Sequence, residues 1–180
     1  MKLPKFRSLK RIVVVGTSGA GKTTLARQIS QSLDIPHIEL DALHWEPNWT
    51  EAAPAVFRTR VQEALNCDRW VVDGNYSQVR DFVWRQADTL VWVDYSFPVV
   101  FNQIVRRTLW RAISQQELWN GNRESWSIVL GRDSMILWVL RTYWKRRQEY
   151  PLLFQQPEYA HLKIVRLSSP KASRQWLEAL

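Results

Sequence analysis

The sequence predicts an α/β fold with three layers, in which helices cover both faces of a five-stranded parallel sheet. Short β-branched segments alternate with segments of helical periodicity along the 180 residues, which is the pattern of βαβ units. Hydrophobic residues make up 46% of the chain and charged residues 23%, the balance of a globular protein with a substantial core. A chain of this length suits one domain, so residues 1–180 are predicted to form a single domain.

Five short apolar segments are predicted to be the strands. Most are rich in Val, Ile or Leu, as expected for parallel strands that helices cover on both faces. The first of them runs into Gly16, where the chain turns towards a helix. The predicted strands are 11–15, 37–40, 69–73, 89–94 and 161–167.

Helix-start signals and helical spacing of apolar residues predict four helices. Thr50 and Ser169 are suitable N-cap residues, and Pro98 and Pro170 suit the first turn of a helix. The predicted helices are 21–34, 50–65, 97–113 and 169–180.

Residues 111–133 interrupt the alternation of strands and helices. This segment is polar, contains Gly121 and Gly131, and lies between two arginine-rich helices. It is predicted to leave the core as a helical lid segment over the site.

The composition favours an anionic partner. The 25 Lys and Arg exceed the 17 Asp and Glu, giving a formal charge of +8, which favours a nucleotide, a phosphorylated substrate or a nucleic acid. Cys67 is the single cysteine, so neither an intrachain disulfide nor a cysteine metal cluster is available. No segment has the apolar length of a signal peptide or a membrane span. The expectation is a soluble, cytoplasmic protein with no membrane partner.

A phosphate-binding loop follows the first strand. Residues 16–23, GTSGAGKT, match G-x-x-x-x-G-K-[ST] in full, between a predicted strand and a predicted helix. Glycines let the backbone wrap a phosphate, and successive N–H groups at a helix N-terminus bind the anion. Lys22 is expected to reach the β- and γ-phosphates, and the Thr23 hydroxyl to face Mg²⁺. The predicted nucleotide-binding residues are Gly16, Thr17, Ser18, Gly19, Ala20, Gly21, Lys22, Thr23 and Thr24.

Two apolar strands end in an aspartate that is able to support the metal ion. Asp73 is followed by Gly74, which lets the chain turn away and leaves the carboxylate facing the loop. Asp73 is therefore predicted to hold Mg²⁺ together with Thr23. Asp94 is interpreted as a cap of the next helix.

The loop alone leaves the use of the phosphate open. Guanine-specific GTPases usually carry an [NT]-K-x-D motif, which this sequence lacks, and motor or helicase cores usually need a longer chain. The length and the arginine-rich lid region favour phosphoryl transfer to a small molecule. The alternatives are a nucleotide-dependent regulator that binds nucleic acid and a kinase-like protein that binds ATP without transferring phosphate.

These residues together resemble P-loop kinases of the adenylate kinase and shikimate/gluconate kinase group. Four segments are similar to adenylate-kinase-like bacterial proteins labelled topology modulation (FlaR-like) proteins, and the resemblance runs along residues 11–178. It implies a P-loop NTPase fold with lid and acceptor-binding segments. The four segments are GTSGAGKTTLA, ELDALHWEPNW, WVVDGNYSQVRD and ELWNGNRESW.

The chain departs from adenylate kinases where they hold the acceptor phosphate. Those enzymes usually have an arginine soon after the second strand, whereas this chain has Asp41. Asn75 and Tyr76 replace the Pro-Arg pair that follows the third strand in the same family. A monophosphate acceptor such as AMP is therefore disfavoured, although other arginines remain available as a clamp, namely Arg58, Arg60 and Arg80.

Asp41 and the aromatic residues after it are candidates for the acceptor site. Asp41 is expected to orient an acceptor hydroxyl and take its proton, or to help hold Mg²⁺; the alternative is a cap on the turn. His44, Trp45 and Trp49 form either an acceptor wall or an apolar plug over the next helix. Most of the eleven tryptophans are expected to fill the core and line grooves.

Arginines around the lid segment are candidates for stabilising the transferred phosphoryl group. Arg107 and Arg111 share a helix face, four residues apart, whereas Arg106 points elsewhere. Arg107, Arg123 and Arg141 are predicted to act on the phosphates. The other arginines considered are Arg146 and Arg147.

Two further segments are expected to touch the nucleotide or the acceptor. The first is the turn Asn122, Arg123 and Glu124, predicted to act as a polar clasp, with a hinge packed by Trp119 and Trp126 as the alternative. The second is the backbone of 168–170, expected beside the adenine. Together these inferences predict a kinase that uses ATP and Mg²⁺ on a nucleoside, a nucleotide or another hydroxyl metabolite.

Overall fold

The computed structural model describes residues 9–126, 129, 131 and 134–180. Its strands are short, and the longest has six residues. The strands are β1 (Arg11–Gly16), β2 (His37–Glu39), β3 (Trp45–Glu46), β4 (Thr50–Glu51), β5 (Trp70–Asp73), β6 (Thr89–Val93) and β7 (Lys163–Leu167).

Helices connect the strands and follow the last one. The main helices of the described residues are α1 (Lys22–Leu33), α2 (Leu40–His44), α3 (Pro54–Ala64), α4 (Ser77–Gln86), α5 (Phe97–Ser114), α6 (Met135–Phe154) and α7 (Pro170–Glu178).

Five strands form one parallel sheet in the order β2-β5-β1-β6-β7. The central strand β1 places Val14 opposite Asp73 of β5 and Gly16 opposite Val93 of β6. The predicted five-stranded parallel sheet with flanking helices is therefore confirmed. Because all five strands run the same way, their carboxyl ends meet at one edge of the sheet, where α/β folds bind ligands.

The core lies on both faces of the sheet because successive residues of β1 point to opposite sides. Val13 and Val15 belong to one apolar cluster, which includes Phe57 of α3. Ile12 and Val14 belong to the other, which α1 and α5 cover. Burial on both faces accounts for the continuous apolar run of the first strand.

Seven of the eleven tryptophans are buried or half-buried, in keeping with the expectation that most of them fill the core or line grooves. Trp70, Trp84 and Trp92 are buried. Four others are exposed, and three of these lie on α5 and α6. The exposed ones are Trp110, Trp126, Trp138 and Trp144.

The helix predicted over 50–65 is wrong in its first turn. Thr50 and Glu51 pair with Glu46 and Trp45 in a small antiparallel hairpin, so α3 begins only at Pro54. Proline suits this first helical position because its missing N–H would have no partner within the helix. The other predicted elements agree with the structure except at their ends. The helices α2 and α4 and the strands β3 and β4 were not predicted, and α6 was predicted only as an arginine-rich helix without bounds.

The described part of the segment 111–133 begins with the last turn of α5 and continues into a short turn. Glu117 and Arg123 form an isolated antiparallel bridge around the turn Trp119–Gly121. Residues 127, 128, 130, 132 and 133 lie outside the described part. Its role as a lid stays a prediction. In the described residues, none of the helices has both the length and the apolar character that crossing a membrane requires.

Candidate active site

The phosphate loop connects β1 to α1 at the carboxyl edge of the sheet. Gly16 has φ 149°, and a Cβ there would lie 2.4 Å from the carbonyl oxygen of Val93 on β6. Gly21, the residue before α1, has φ 88° but open space around it. The first glycine is therefore required by both packing and backbone geometry, and the last by backbone geometry alone.

Lys22 begins α1 and turns back over the loop. Its ammonium donates to the carbonyl oxygen of Thr17 over 3.3 Å. Burial, together with the positive charge of Arg146, lowers the pKa of Lys22 to about 8, while Asp73 and Asp41 oppose the change. Phosphate oxygens bound beside this ammonium group would stabilise its charged form.

Thr23 and Asp73 are in direct contact, as the predicted metal site requires. The Thr23 hydroxyl donates to Asp73 Oδ2 over 2.6 Å, and the other carboxylate oxygen lies 2.7 Å from His37 Nε2. This hydroxyl and carboxylate are the hard oxygen ligands that Mg²⁺ prefers. The described residues contain no cluster of three or more His, Cys, Asp or Glu that suits a metal ion. The donors therefore fit Mg²⁺ that takes most of its ligands from phosphate and water.

Asp94 has a different role from the helix cap expected for it. Its Oδ2 accepts from Arg166 Nε over 2.8 Å, and its Oδ1 lies 3.2 Å from Arg147 Nε. The cap position of α5 belongs to Ser96. Asp94 is buried and joins β7 and α6 to the end of β6, so its carboxylate is already occupied by two guanidinium groups.

Asp41 lies in the first turn of α2 and faces the loop. Its Oδ1 accepts from the Tyr76 hydroxyl over 2.5 Å. Burial raises the pKa of Asp41, while the hydrogen bond from Tyr76 and the charge of Lys22 act in the opposite direction. Burial also raises the pKa of Tyr76, so this phenol stays a hydrogen-bond donor.

Two arginines approach Lys22 from α5 and α6. Arg107 Nε and Arg146 Nη1 are buried nitrogens with no hydrogen-bond partner in the described residues. Burial, together with the positive charge of neighbouring Arg111, lowers the pKa of Arg107 to about 10. Buried donors of this kind are normally satisfied, so the geometry leaves a place for anionic oxygens beside Lys22.

The structure does not bring the other predicted arginines to this cluster. Arg141 is exposed on α6. Arg123 is exposed and lies 3.5 Å from Glu117. Their action on phosphate stays a prediction.

The arginines considered as an alternative phosphate clamp have other contacts. Arg58 pairs with Asp81, and Arg60 pairs with Glu46 over 2.8 Å. Arg80 lies over the ring of Trp84.

The aromatic residues after Asp41 pack mainly on one another. His44 is buried against Phe57 of α3 and Tyr76, at ring distances of 4.9 and 4.5 Å. Trp45 and Trp49 meet edge to face at 5.5 Å and stay half-buried. His44 thus belongs to the apolar plug, while the two tryptophans keep a surface that an acceptor can contact.

The predicted polar clasp is attached to the acceptor segment. The Asn122 side chain accepts from the Trp49 backbone N–H over 2.7 Å and donates to the Glu46 carbonyl over 2.8 Å. Glu124 is buried and pairs with Arg111 over 2.9 Å. The turn therefore contacts the hairpin of β3 and β4 in this conformation.

Sequence reasoning missed the residues that position the loop. The Asn75 amide donates to the Gly16 carbonyl over 2.5 Å, and its Oδ1 accepts from the Gly16 N–H and from the hydroxyl of Tyr150 on α6. Burial raises the pKa of Tyr150 to about 12. His37 was also missed, because nothing local to its sequence points to Asp73.

The last predicted contact concerns the turn before α7. Ser169 caps α7, accepting from the Ala172 N–H over 3.1 Å. This confirms the predicted helix start. The contact of 168–170 with adenine stays a prediction.

Comparison with known proteins supports the fold. Residues 12–72 match the profile of the ATPase family associated with various cellular activities (AAA), which is less than half of the chain. No curated protein sequence matches.

Solved structures match nearly the whole chain at low identity. A shikimate kinase from Acinetobacter baumannii in complex with shikimate has a TM-score of 0.57 and 18% identity, over 96% of this chain and 91% of that one. A shikimate kinase from Bacteroides thetaiotaomicron has a TM-score of 0.56 and 17% identity, over 95% of this chain and 96% of that one. A gluconokinase from Sinorhizobium meliloti 1021 has a TM-score of 0.53 and 21% identity, over 96% of this chain and 92% of that one. The chain therefore has the P-loop kinase fold of these proteins.

Proposed function

We propose that this protein is a kinase that transfers the γ-phosphate of ATP, with Mg²⁺, to a hydroxyl group of a small molecule. The observation that carries the proposal is the meeting of Lys22, Arg107 and Arg146 with Asp41 at the phosphate loop. Buried guanidinium nitrogens that have no partner among the described residues suit phosphate oxygens, and a half-buried carboxylate beside them suits a hydroxyl. The structural neighbours named shikimate kinase and gluconokinase support a small acceptor.

The cations act on the phosphate chain. Lys22 and the loop N–H groups bind the β- and γ-phosphates, and Arg107 and Arg146 offset the charge on the oxygens of the transferred group. Bound Mg²⁺ supplies further neutralisation of the phosphate charge, held through Thr23 and Asp73. Fixed positive groups lower the barrier most when they are already oriented before the reaction.

Asp41 acts on the acceptor. Its carboxylate accepts a hydrogen bond from the acceptor hydroxyl and takes the proton as the oxygen–phosphorus bond forms. The bond between the γ-phosphorus and the β,γ-bridging oxygen breaks, and ADP leaves with the electron pair. Tyr76, which already donates to Asp41, holds the carboxylate in place. Asp41 then returns the proton to solvent.

The acceptor segment favours a hydroxyl compound over a monophosphate. Arg60 and Arg58, the arginines nearest to this segment in sequence, pair with carboxylates. Asp41 itself would repel a second phosphate. Trp45 and Trp49 offer a flat apolar surface beside it, which suits a sugar ring or a heterocycle.

A transfer screen with γ-labelled ATP tests the proposal. Nucleosides, sugars, polyols and their phosphorylated forms are incubated with the protein and Mg²⁺, and labelled products are separated. Label in a hydroxyl compound is expected, and none with a Lys22→Ala variant. Hydrolysis of ATP without transfer to any acceptor would overturn the proposal.

A further inference from the structure

Two neighbouring helices turn apolar side chains towards solvent. Among the described residues, eight of the eleven exposed large apolar side chains lie on α5 and α6. Trp110 and Ile113 of α5 are 65% and 66% exposed, and Trp144 of α6 is 57% exposed. A surface helix normally keeps this face polar.

The exposed residues follow helical spacing on both helices. On each helix three apolar residues and one arginine stand at positions i, i+3, i+4 and i+7, which is one continuous stripe. We call the two stripes together the α5–α6 face. It consists of Arg106, Leu109, Trp110 and Ile113 on α5 and of Leu137, Leu140, Arg141 and Trp144 on α6.

Burial in the core does not explain these stripes, because both helices pack through other residues. Ile104 of α5 and Val139 and Tyr143 of α6 are buried in the same apolar cluster. Phe97 at the start of α5 contacts the ring of Tyr143 at 5.3 Å. Trp144 also stacks on Phe97, at 5.9 Å, while staying more than half exposed. The rest of the two apolar stripes is therefore additional to the faces that hold the helices on the sheet.

The helices α5 and α6 carry far more positive than negative charge. The two helices contain seven basic residues and one acidic residue, Glu149. Arg111 and Arg147 pair with Glu124 and Asp94 of other elements, and Arg107 and Arg146 lie at the phosphate loop. The exposed basic residues of the two helices are Arg106, Arg141 and Lys145. Glu149 lies 3.7 Å from Lys145. In the described part of the chain, neither Arg106 nor Arg141 has a carboxylate within ion-pair distance. These two helices thus hold most of the excess positive charge of the protein.

We propose that the α5–α6 face binds the headgroup region of a membrane that contains anionic phospholipids. Tryptophan is the residue that prefers the membrane–water interface, and Leu and Ile add apolar area below it. Arginines within an apolar stripe attract anionic headgroups. This inference does not depend on the proposed kinase reaction, because the α5–α6 face itself contains none of the residues at the phosphate loop.

The same observations disfavour a second copy of the chain or a nucleic acid as the partner that covers the α5–α6 face. A second copy of the chain would bring two sets of arginines together without described carboxylates on the face to pair with them. Nucleic acid would match the charge and the tryptophans, but it leaves Leu109, Ile113 and Leu137 without apolar contact. A lipid surface satisfies all three side-chain types.

Vesicle sedimentation of the full chain tests the proposal. Vesicles of phosphatidylcholine with phosphatidylglycerol are expected to bind the protein, with a blue shift of tryptophan emission and loss of binding at high salt. Replacing both Trp110→Ser and Ile113→Ser is expected to lower the partition coefficient at least about tenfold. Arg106→Gln is expected to lower it about fivefold.

The control is Val56→Ser on α3, an exposed apolar residue outside the face, which should bind like the unaltered protein. All variants should keep the thermal midpoint of the unaltered protein, since the changed side chains are exposed. Absence of sedimentation with anionic vesicles, or equal binding to pure phosphatidylcholine, would overturn the proposal. The proposal would also be overturned if the Trp110→Ser/Ile113→Ser and Arg106→Gln variants still bound the vesicles. The same holds if these variants lost self-association or DNA binding while their vesicle binding stayed unchanged.

Discussion

Two aspartates that face the same loop differ in what surrounds them. Asp73 receives the Thr23 hydroxyl and contacts His37, so both its oxygens are held by donors. Asp41 receives one hydroxyl, from Tyr76, and burial raises its pKa. The carboxylate held by two donors suits the support of a metal, and the carboxylate held by a single donor suits the exchange of a proton.

Replacing Asp41→Asn tests the proton-transfer role. We expect phosphoryl transfer to fall roughly 10²- to 10⁴-fold, because an amide takes no proton, while calorimetry shows Mg-ATP binding within a few-fold of normal. Asp81→Asn on α4 is the matched control, since that carboxylate is exposed and pairs only with Arg58. Normal transfer in Asp41→Asn would remove the role assigned to Asp41.

The rate of transfer should depend on pH through the same carboxylate. A base acts in its ionised form, so the rate falls as pH drops through the raised pKa of Asp41. We expect the acid limb of kcat/KM to have its midpoint above the ordinary value of 3.8. The measurement is a pH–rate profile with a confirmed acceptor. A midpoint at or below the ordinary value would contradict the expectation.

Arg146 and Arg141 offer a test within one helix. Arg146→Gln is expected to lower transfer roughly 10²- to 10³-fold, because its buried guanidinium lies beside Lys22. Arg141→Gln should change transfer little if the exposed position seen here is also the working one. Steady-state kinetics of both variants show whether Arg146, as the structure indicates, or Arg141, as predicted from the sequence, acts on the phosphates.

The contrast between these two arginines shows what the sequence can and cannot predict. The loop, Asp73 and Asp41 were predicted because each depends on a local pattern of strand, turn and helix. Arg141 and Arg146 are five residues apart, which places them about 140° apart around a helix. Only the packing of α6 on the sheet decides which one faces the loop. His37 likewise depends on the parallel pairing of β2 with β5.

The strand–loop–helix element rests on glycines with different constraints. A Cβ on Gly16 would overlap the Val93 carbonyl, whereas a Cβ on Gly21 would meet no atom within 4 Å. We expect Gly16→Ala to lower the free energy of unfolding by about 3 kcal/mol. Gly21→Ala should lower it by about 1 kcal/mol, since only its backbone conformation is strained. Urea unfolding measures both, and equal losses would contradict the packing argument.

Element boundaries were predictable where the chain itself determines them. The strands of the parallel sheet were found because their apolar runs are interrupted by turn residues. The start of α3 was misplaced because Thr50, a good N-cap by type, instead joins the hairpin with Trp45–Glu46. Tertiary pairing here overrides a local preference, which is the common reason for such errors.

Across the whole molecule, Asn122 links the excursion to the acceptor segment. Its side chain satisfies the Trp49 N–H and the carbonyls of Glu46 and Trp119. Asn122→Ala should remove the side-chain partner of the Trp49 N–H and the Glu46 carbonyl at a cost of about 1–3 kcal/mol, while the Trp119 carbonyl keeps its backbone donor. Hydrogen exchange is expected to accelerate in 45–51 and 117–126 and to stay unchanged in α1. Asn66→Ala at an exposed position is the control, and unchanged exchange in both segments would refute the link.

Hydrogen bonds from Tyr150 to Asn75 and from Asn75 to Gly16 fix one end of α6 to the phosphate loop. Arg146 lies one turn from that point, about 6 Å along the axis, whereas Met135 lies about 22 Å away. A displacement of the far end of α6 would therefore move the guanidinium only about a quarter as far. Val139 and Tyr143 also anchor the intervening turns in the core, so a strain applied at the far end reaches the cation beside the loop strongly reduced.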